Sequence, residues 1–449
     1  MEFSEHATTR RKESLARSSH IDTSRGPVQK LHSKALFQPR DTLADCRSGY
    51  AKLLRCSRET PGVDRGNEFA YAVEIFIHRG IVEFRDGMSG IIAAYWNRWI
   101  CLNLLYGRDV GRRHNSRGSE MSKVVRFHRV GGPEVLQIED IDVPAPGAGE
   151  VQIKVKALGI NRAEVMYRSG QYVIEPSFPA MLGYEAAGVV AAVGDGVTGF
   201  ASGDRVGIIP AFSFADYGMY GEVVNAPVSA VVKTPDNVSF EEAAATWMAF
   251  TTAYGALINL GGLKAGETVV IGAATSSVGM AAIQIANFVK ATPVALTRSL
   301  AKKDPLLRGG AAHVFVGDDA GLHQQLLDVT DGKGVNMVFD PVGGPHARSL
   351  LQALGHDGTF FQYGALDARD IPVPVMDILG KHLTVRGYEL FEITTSPHRL
   401  EEAKTFITQG LSTGELRPTI DRTFSFDQIA EAHRYMEAGN QVGKIVVTI

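Results

Sequence analysis

The sequence predicts an α/β protein in which a β-rich, barrel-like region precedes a doubly wound parallel sheet, and three observations carry that expectation. From Met121 onward, short runs rich in Val and Ile are separated by Gly and Pro turns. Near FEEAAATWMAFTTAYGALINLGGL the apolar period changes from two to about 3.6. After ETVVI, strands and helices alternate as far as Gly387, the pattern of a parallel sheet covered by helices on both faces.

Length and composition agree with two to three domains. The chain has 449 residues, and a single core stops growing at roughly 250–300 residues. It is 45% hydrophobic and 21% charged, with a net charge of −3. These totals argue against a nucleic-acid or membrane partner. The averages hide a break, because residues 1–120 carry a balance of +6 and the remainder −9. The first part is Arg- and Ser-rich and holds Cys46, Cys56, Cys101, Trp96 and Trp99. It shows no sustained periodicity, no secretory h-region and no apolar run near the ~18 residues of a membrane span. We read residues 1–120 as a disordered or artefactual extension, translated upstream of a natural start at Met121. No cysteine follows Met121, so disulfides have no part in the main fold and a cytoplasmic setting is expected.

In order, KVVRFHRV, VLQIEDIDV and EVQIKVKALGI read as antiparallel strands, and AAGVVAAVGDGVTGFASGDRVGII adds two more joined by Gly loops. In the second region the expected strands are TVVIGA, TPVALT, HVFVG, MVFDPVG, TFFQYGA and LTVRGYE. Helices SVGMAAIQIANFV and PHARSLLQALG lie between them. After Gly387 come a helix (SPHRLEEAKTFITQG), a strand pair around RPTIDRTFSF, a helix (DQIAEAHRYMEAG) and a terminal strand KIVVTI. That last strand is expected to return to the first domain. The implied organisation is 121–245 and 387–449 for a β-rich domain interrupted by a nucleotide-type domain at 246–386.

The turn GAATSSVG, Gly272 to Gly279, lies where a dinucleotide fold keeps its glycines. Backbone N–H groups at a helix N-terminus, aided by the helix dipole, bind a pyrophosphate. Matched to G-x-G-x-x-G, the stretch puts Ala274 and Ser276 at the first two glycine positions and keeps Gly279, with Ser277 and Val278 between. An ordinary strand-to-helix turn is the plain alternative. Small Ala274, a Ser276 able to cap the helix and a retained Gly279 favour a working cradle. A ribose-binding acid is expected about 20 residues later for NAD. Instead the second strand ends ALTRSLAKKD, offering Thr297, Arg298, Lys302 and Lys303. Cations there suit the 2′-phosphate of NADPH, and a solvated helix start is the alternative.

In this order, GINRAEVMYRSGQY, GYEAAGVVAAVGDGV with GDRVG, AAATWMAFTTAY, GAATSSVGMAAIQIA, VFDPVGG and AHRYMEAGNQVGKIVV resemble the medium-chain dehydrogenase/reductase superfamily. The resemblance is to its zinc-free branch of NADPH:quinone oxidoreductases similar to zeta-crystallin, and it covers Met121 to Ile449. It implies a GroES-like catalytic domain interrupted by a Rossmann domain. Zinc-dependent relatives carry Cys at Asn161, His at Tyr184 and a second Cys near Met248, and the seven histidines from His313 to His433 show no ligand spacing. No metal is therefore expected.

The resemblance further implies hydride transfer from NADPH to a quinone or an α,β-unsaturated carbonyl, a small-molecule substrate. It places Asn161, Glu164, Tyr172 and Tyr184 in the cleft, with Asn161 or Tyr172 donating to a substrate oxygen. Glu164 stands where the family usually has Asp. It also implies that Val342, Gly343 and Gly364 lie along the cofactor and that Lys444 belongs to a segment closing over it. Relatives suggest a homo-oligomer, dimer or tetramer, through the sheet edge. Enoyl-thioester reduction, and NADPH binding in a structural or regulatory protein without turnover, are the competing readings.

Overall fold

The structure, a computed structural model, describes the strands at 74–78 and 81–85 and residues 120–318 and 320–449. The expectation of an extension over 1–120 falls largely outside the described residues. Within it, β1 (Glu74–His78) and β2 (Ile81–Arg85) pair antiparallel, Glu74 opposite Arg85 and His78 opposite Ile81. This regular structure was not anticipated, because two five-residue strands give too short a periodic signal. The chain divides into Met1–Arg113 and His114–Ile449, and the second unit holds all the other strands.

A three-stranded sheet opens that unit, with β3 (Glu120–Phe127) between β4 (Gln137–Val143) and β6 (Ala180–Met181). The main GroES-like sheet is organised around β5 (Glu150–Ile160), eleven residues long. On one side it pairs β7 (Ala186–Val193), which leads to β8 (Arg205–Ile208) and β10 (Val231–Lys233). The first half of its other edge pairs β9 (Val223–Pro227). Alternate residues point inward: Val151, Ile153 and Val155, then Leu158 and Ile160, pack with Val206, Ile208 and Val224.

The Rossmann sheet holds β11 (Thr268–Ile271), β12 (Thr292–Thr297), β13 (His313–Val316), β14 (Val335–Asp340), β15 (Leu354–Gln362) and β16 (Thr384–Gly387). All pairings are parallel, in the order β13-β12-β11-β14-β15-β16, so the winding reverses between β11 and β14. Ligands bind at such a switch point, beyond the carboxyl ends of the strands. The helix Ser277–Phe288 buries Met280, Ala281, Ile283 and Ile285 against the core. β12 coincides with the TPVALT run. β15 starts five residues before TFFQYGA because Leu354 pairs with Val335 ahead of an irregular stretch.

After the helix Pro397–Thr413, the expected strand pair around RPTIDRTFSF proves to be one strand, β17 (Ile420–Ser425). Pro418 has no N–H to give a ladder, and β17 pairs instead with β18 (Lys444–Thr448) in parallel. β18 returns to the first sheet and takes the second half of the β5 edge, Ile445 opposite Ile160 and Thr448 opposite Ala157. Among the described residues no helix is long and apolar enough to cross a membrane.

The return strand closes the core with Ile445, Val446 and Val447, all fully buried. Ile445→Ala deletes buried methyl groups at that seam and is expected to cost about 2–5 kcal/mol, measured by urea denaturation.

Candidate active site

The turn after β11 is shaped by close packing. Ser276 caps the helix Ser277–Phe288, its hydroxyl accepting from the Gly279 N–H at 3.0 Å. A Cβ on Gly279 would lie 2.6 Å from backbone atoms of Ala274, so only glycine lets the helix start this close to the strand. Ala273 occupies the left-handed region at φ 43, where an L-residue is strained. The N–H groups of Ser277 and Val278 have no protein acceptor. Free donors at the N-terminus of a twelve-residue helix fit a dinucleotide pyrophosphate. Val342 and Gly343 follow β14, the Gly343 N–H bonded to Asp340 at 2.8 Å, and Gly364 follows β15 with its Cα against Pro341. All these positions therefore meet at the carboxyl ends of β11, β14 and β15.

At the end of β12, Thr297 is buried and Arg298 exposed. Arg298 donates to the Gly439 carbonyl at 3.0 Å, and the Lys302 ammonium reaches the carbonyls of Gly439 and Gln441. Neither has a carboxylate in an ion pair, and burial together with the neighbouring Arg298 charge lowers the Lys302 pKa. Two cations thus press on one another beside the free helix N-terminus. The loop that holds them also touches the turn, with Gly443 N–H donating to the Thr275 carbonyl at 2.9 Å.

The second cluster stands on the helix Arg162–Arg168 and the strand approaching β7. Glu164 reaches back to the N–H of the N-cap residue Asn161, a capping interaction. It also accepts from the Asn161 amide (3.0 Å), the Tyr184 N–H (3.1 Å) and the Tyr220 hydroxyl (3.3 Å). Complete burial nevertheless pushes the Glu164 carboxyl up to about 7, against these donors and the Lys444 charge. Tyr220 passes on to His433 Nε2 at 3.3 Å, and burial, with the Arg168 charge, lowers that imidazole to about 3. Tyr184 is buried and stacks on Phe214 at 3.7 Å between ring centroids. Its hydroxyl lies 3.3 Å from that of half-buried Tyr172, whose pKa burial raises, leaving Tyr172 a proton donor.

Two expectations need correction. Asn161 is not free to donate to a substrate oxygen, because its amide N–H groups are directed to Glu164 and the Gly159 carbonyl and its oxygen accepts from Lys444. The segment of Lys444 meets the cofactor turn, but the Lys444 side chain is directed away from it: it is 1% exposed, and its ammonium pairs with Glu185 and Asn161. It is Gly443, one residue earlier, that pairs with Ser276. Glu185 was not singled out from the sequence; it also accepts from the Met248 N–H at 2.9 Å. An acid inside the apolar run YEAAGVV was the available signal, since a buried charge requires a partner. Also missed were Asp340, buried with one unpartnered carboxylate oxygen, and half-buried Tyr363, whose hydroxyl oxygen is out of contact with water.

Comparison with known proteins agrees with this fold. The family described as alcohol dehydrogenase GroES-like domain matches residues 147–236, and zinc-binding dehydrogenase matches 309–447. The chain is 30% identical to human quinone oxidoreductase over 334 residues, 74% of this chain and 99% of that protein. It is also 30% identical to the rat synaptic vesicle membrane protein VAT-1 homolog over 328 residues, 70% of this chain and 80% of that one. The crystal structure of Escherichia coli quinone oxidoreductase complexed with NADPH is similar at 29% identity and a TM-score of 0.65. It is matched over 73% of this chain and 100% of that one. Zinc, named in one family description, does not fit the donors around Asn161. The side-chain groups that contact it are the Glu164 carboxylate and the Lys444 ammonium, the latter paired with Glu185, and neither a thiolate nor an imidazole is among them.

Glu164 makes stability depend on pH. Its folded-state pKa is raised from 4.5 to about 7, so the folded chain holds a proton that the unfolded chain releases. That stabilisation is complete below about pH 4.5 and is lost as pH rises through 7. Glu164→Gln, permanently neutral, is expected to remove up to about 3 kcal/mol of this decline, read as a flatter dependence of the urea midpoint on pH.

Proposed function

The chain belongs to the medium-chain dehydrogenase/reductase superfamily, in its zinc-free quinone oxidoreductase branch. On that footing we propose that it is an NADPH-dependent, zinc-independent oxidoreductase acting on a quinone or an α,β-unsaturated carbonyl. The observation that carries the choice of nucleotide is the Arg298 and Lys302 pair, held side by side on backbone carbonyls, with neither cation in an ion pair and only the longer-range charge of Asp421 opposing their repulsion. A 2′-phosphate relieves their repulsion, whereas an unphosphorylated ribose does not. The free N–H groups of Ser277 and Val278 receive the pyrophosphate, Ser276 caps their helix, Gly279 and Ala274 let it start close to the strand, and Thr297, Val342, Gly343 and Gly364 line the nucleotide. Bound there, NADPH supplies the hydride.

The chain's own residues supply the rest. Tyr172 donates its proton to the acceptor oxygen as negative charge develops, and Tyr184 orients that hydroxyl through the 3.3 Å contact. Asn161 and Glu164 act as positioning residues, fixing the first turn of their helix and the Tyr184 backbone. We assign these roles to a catalytic domain of residues 121–245 and 387–449 around a nucleotide domain of 246–386, in a cytoplasmic protein.

The assay is NADPH oxidation by the full chain in EDTA, offered a quinone, a 2-alkenal, an enoyl thioester and a simple aldehyde. Turnover on the quinone or alkenal is the expected outcome. Turnover on the thioester alone makes it an enoyl-thioester reductase, and tight NADPH binding without turnover on any of the four leaves a nucleotide-binding protein of structural or regulatory role. Arg298→Ala is expected to raise the KM for NADPH about tenfold and leave NADH nearly unchanged; an equal effect on both refutes the 2′-phosphate assignment.

The same reading includes a homo-oligomer. β16 is an edge strand with Val385 exposed, and Val375, Met376 and Leu379 on the adjoining helix Val375–Lys381 are exposed too. A second copy covers such an edge. Met376→Glu with Leu379→Glu is expected to give a monomer by light scattering, and an unchanged mass overturns this edge as the interface.

A further inference from the structure

Histidines that are scattered in the sequence meet at the opposite end of the Rossmann sheet from the nucleotide turn. β15 leaves its ladder after Leu354, which pairs with Val335, and rejoins it at Thr359, which pairs with Met337. Four residues, Gly355 to Gly358, therefore face a single partner residue, Asn336. Bulges of this kind re-aim side chains, and this one carries His356 and Asp357. His382 comes from a different element, the C-cap of the helix Val375–Lys381, just before β16. Asp357 and His382 are both in the left-handed region, at φ 58 and φ 54. The helix cap sets the one conformation and the bulge the other, and together they fix where the His382 and Asp357 side chains start.

The side chains converge. His356 Nδ1 lies 3.0 Å from Asp357 Oδ2, His382 Nδ1 lies 3.8 Å from Asp357 Oδ1, and the two imidazole centroids are 4.6 Å apart. One donor atom from each residue falls within 4.8 Å of the others, the only such group among the described residues. Zinc bonds of about 2.0–2.2 Å in tetrahedral geometry set neighbouring donors roughly 3.3 Å apart, so small rotations close this set. Two imidazoles and one carboxylate suit a borderline divalent metal, with water at the fourth position, and suit Mg²⁺ poorly.

We propose that His356, Asp357 and His382 form a binding site for a Zn²⁺-class divalent transition metal, a clasp joining the amino-terminal ends of β15 and β16. The clasp is independent of the reductase reading, because the nucleotide turn lies beyond the carboxyl ends of the same sheet.

The test is calorimetric titration of the untagged full chain with Zn²⁺, beside His356→Gln with His382→Asn and, separately, Asp357→Asn. Asn tolerates the left-handed backbone at both strained positions, so the variants keep the fold, and an unchanged melting curve without metal checks this. The cysteines of the first 120 residues are common to all three proteins, so only a difference reports on the site. The expected result is one Zn²⁺ more per chain in the parent than in either variant. A rise in Tm of about 4 °C at roughly 100-fold excess over Kd should occur in the parent alone. Equal stoichiometry in parent and variants overturns the proposal, as does a Mg²⁺ response matching that of Zn²⁺.

Discussion

The ammonium of Lys444, held by Glu185 and Asn161, ties together the parts on which the cleft depends. Lys444 opens the return strand β18, Glu185 precedes β7, and Asn161 follows β5 and caps the next helix. Taking two charges out of water costs several kcal/mol for each ion, which only good geometry and further hydrogen bonds offset. Here the Asn161 oxygen and the Met248 N–H provide them. The contact also restricts the backbone, since a Cβ at Gly159 would lie 2.6 Å from Lys444 Cε and 2.7 Å from Glu185 Oε1. Its product is a fixed Asn161, and through it a fixed Glu164 and Tyr184.

The nucleotide side obeys a similar logic with weaker contacts. Gly443 pairs with Ser276, and Lys302 and Arg298 reach the carbonyls of the same loop. The loop that ends at Lys444 therefore touches the phosphate turn at one residue and anchors the catalytic cluster at the next.

Much of this was legible in the sequence. The period change, the order of the strands and the turn after β11 were readable because each is local: β12 coincides with TPVALT, and Gly279 packs where a Rossmann glycine packs. The partners of Lys444 were not readable. Glu185 lies 259 residues away, and a Lys beside a Gly near a chain end looks the same whether solvated or buried. The Asn161 oxyanion reading failed for a related reason, since an amide's free donors depend on neighbours that sequence spacing does not reveal. His356 and His382 lacked ligand spacing as a string, and only the bulge in β15 and a left-handed helix cap bring them together.

The position of β18 governs how the chain is made. Its partner on β5, Ile160, is roughly 285 residues upstream of Ile445, about 15–60 s of synthesis at ordinary elongation rates. During that interval the second half of the β5 edge has no partner, while the strands of the Rossmann sheet are made one after another. The interrupted domain thus completes its core only after β18 leaves the ribosome. Loss of even the final turn-and-strand by premature termination leaves an open, apolar strand edge of the kind that aggregates.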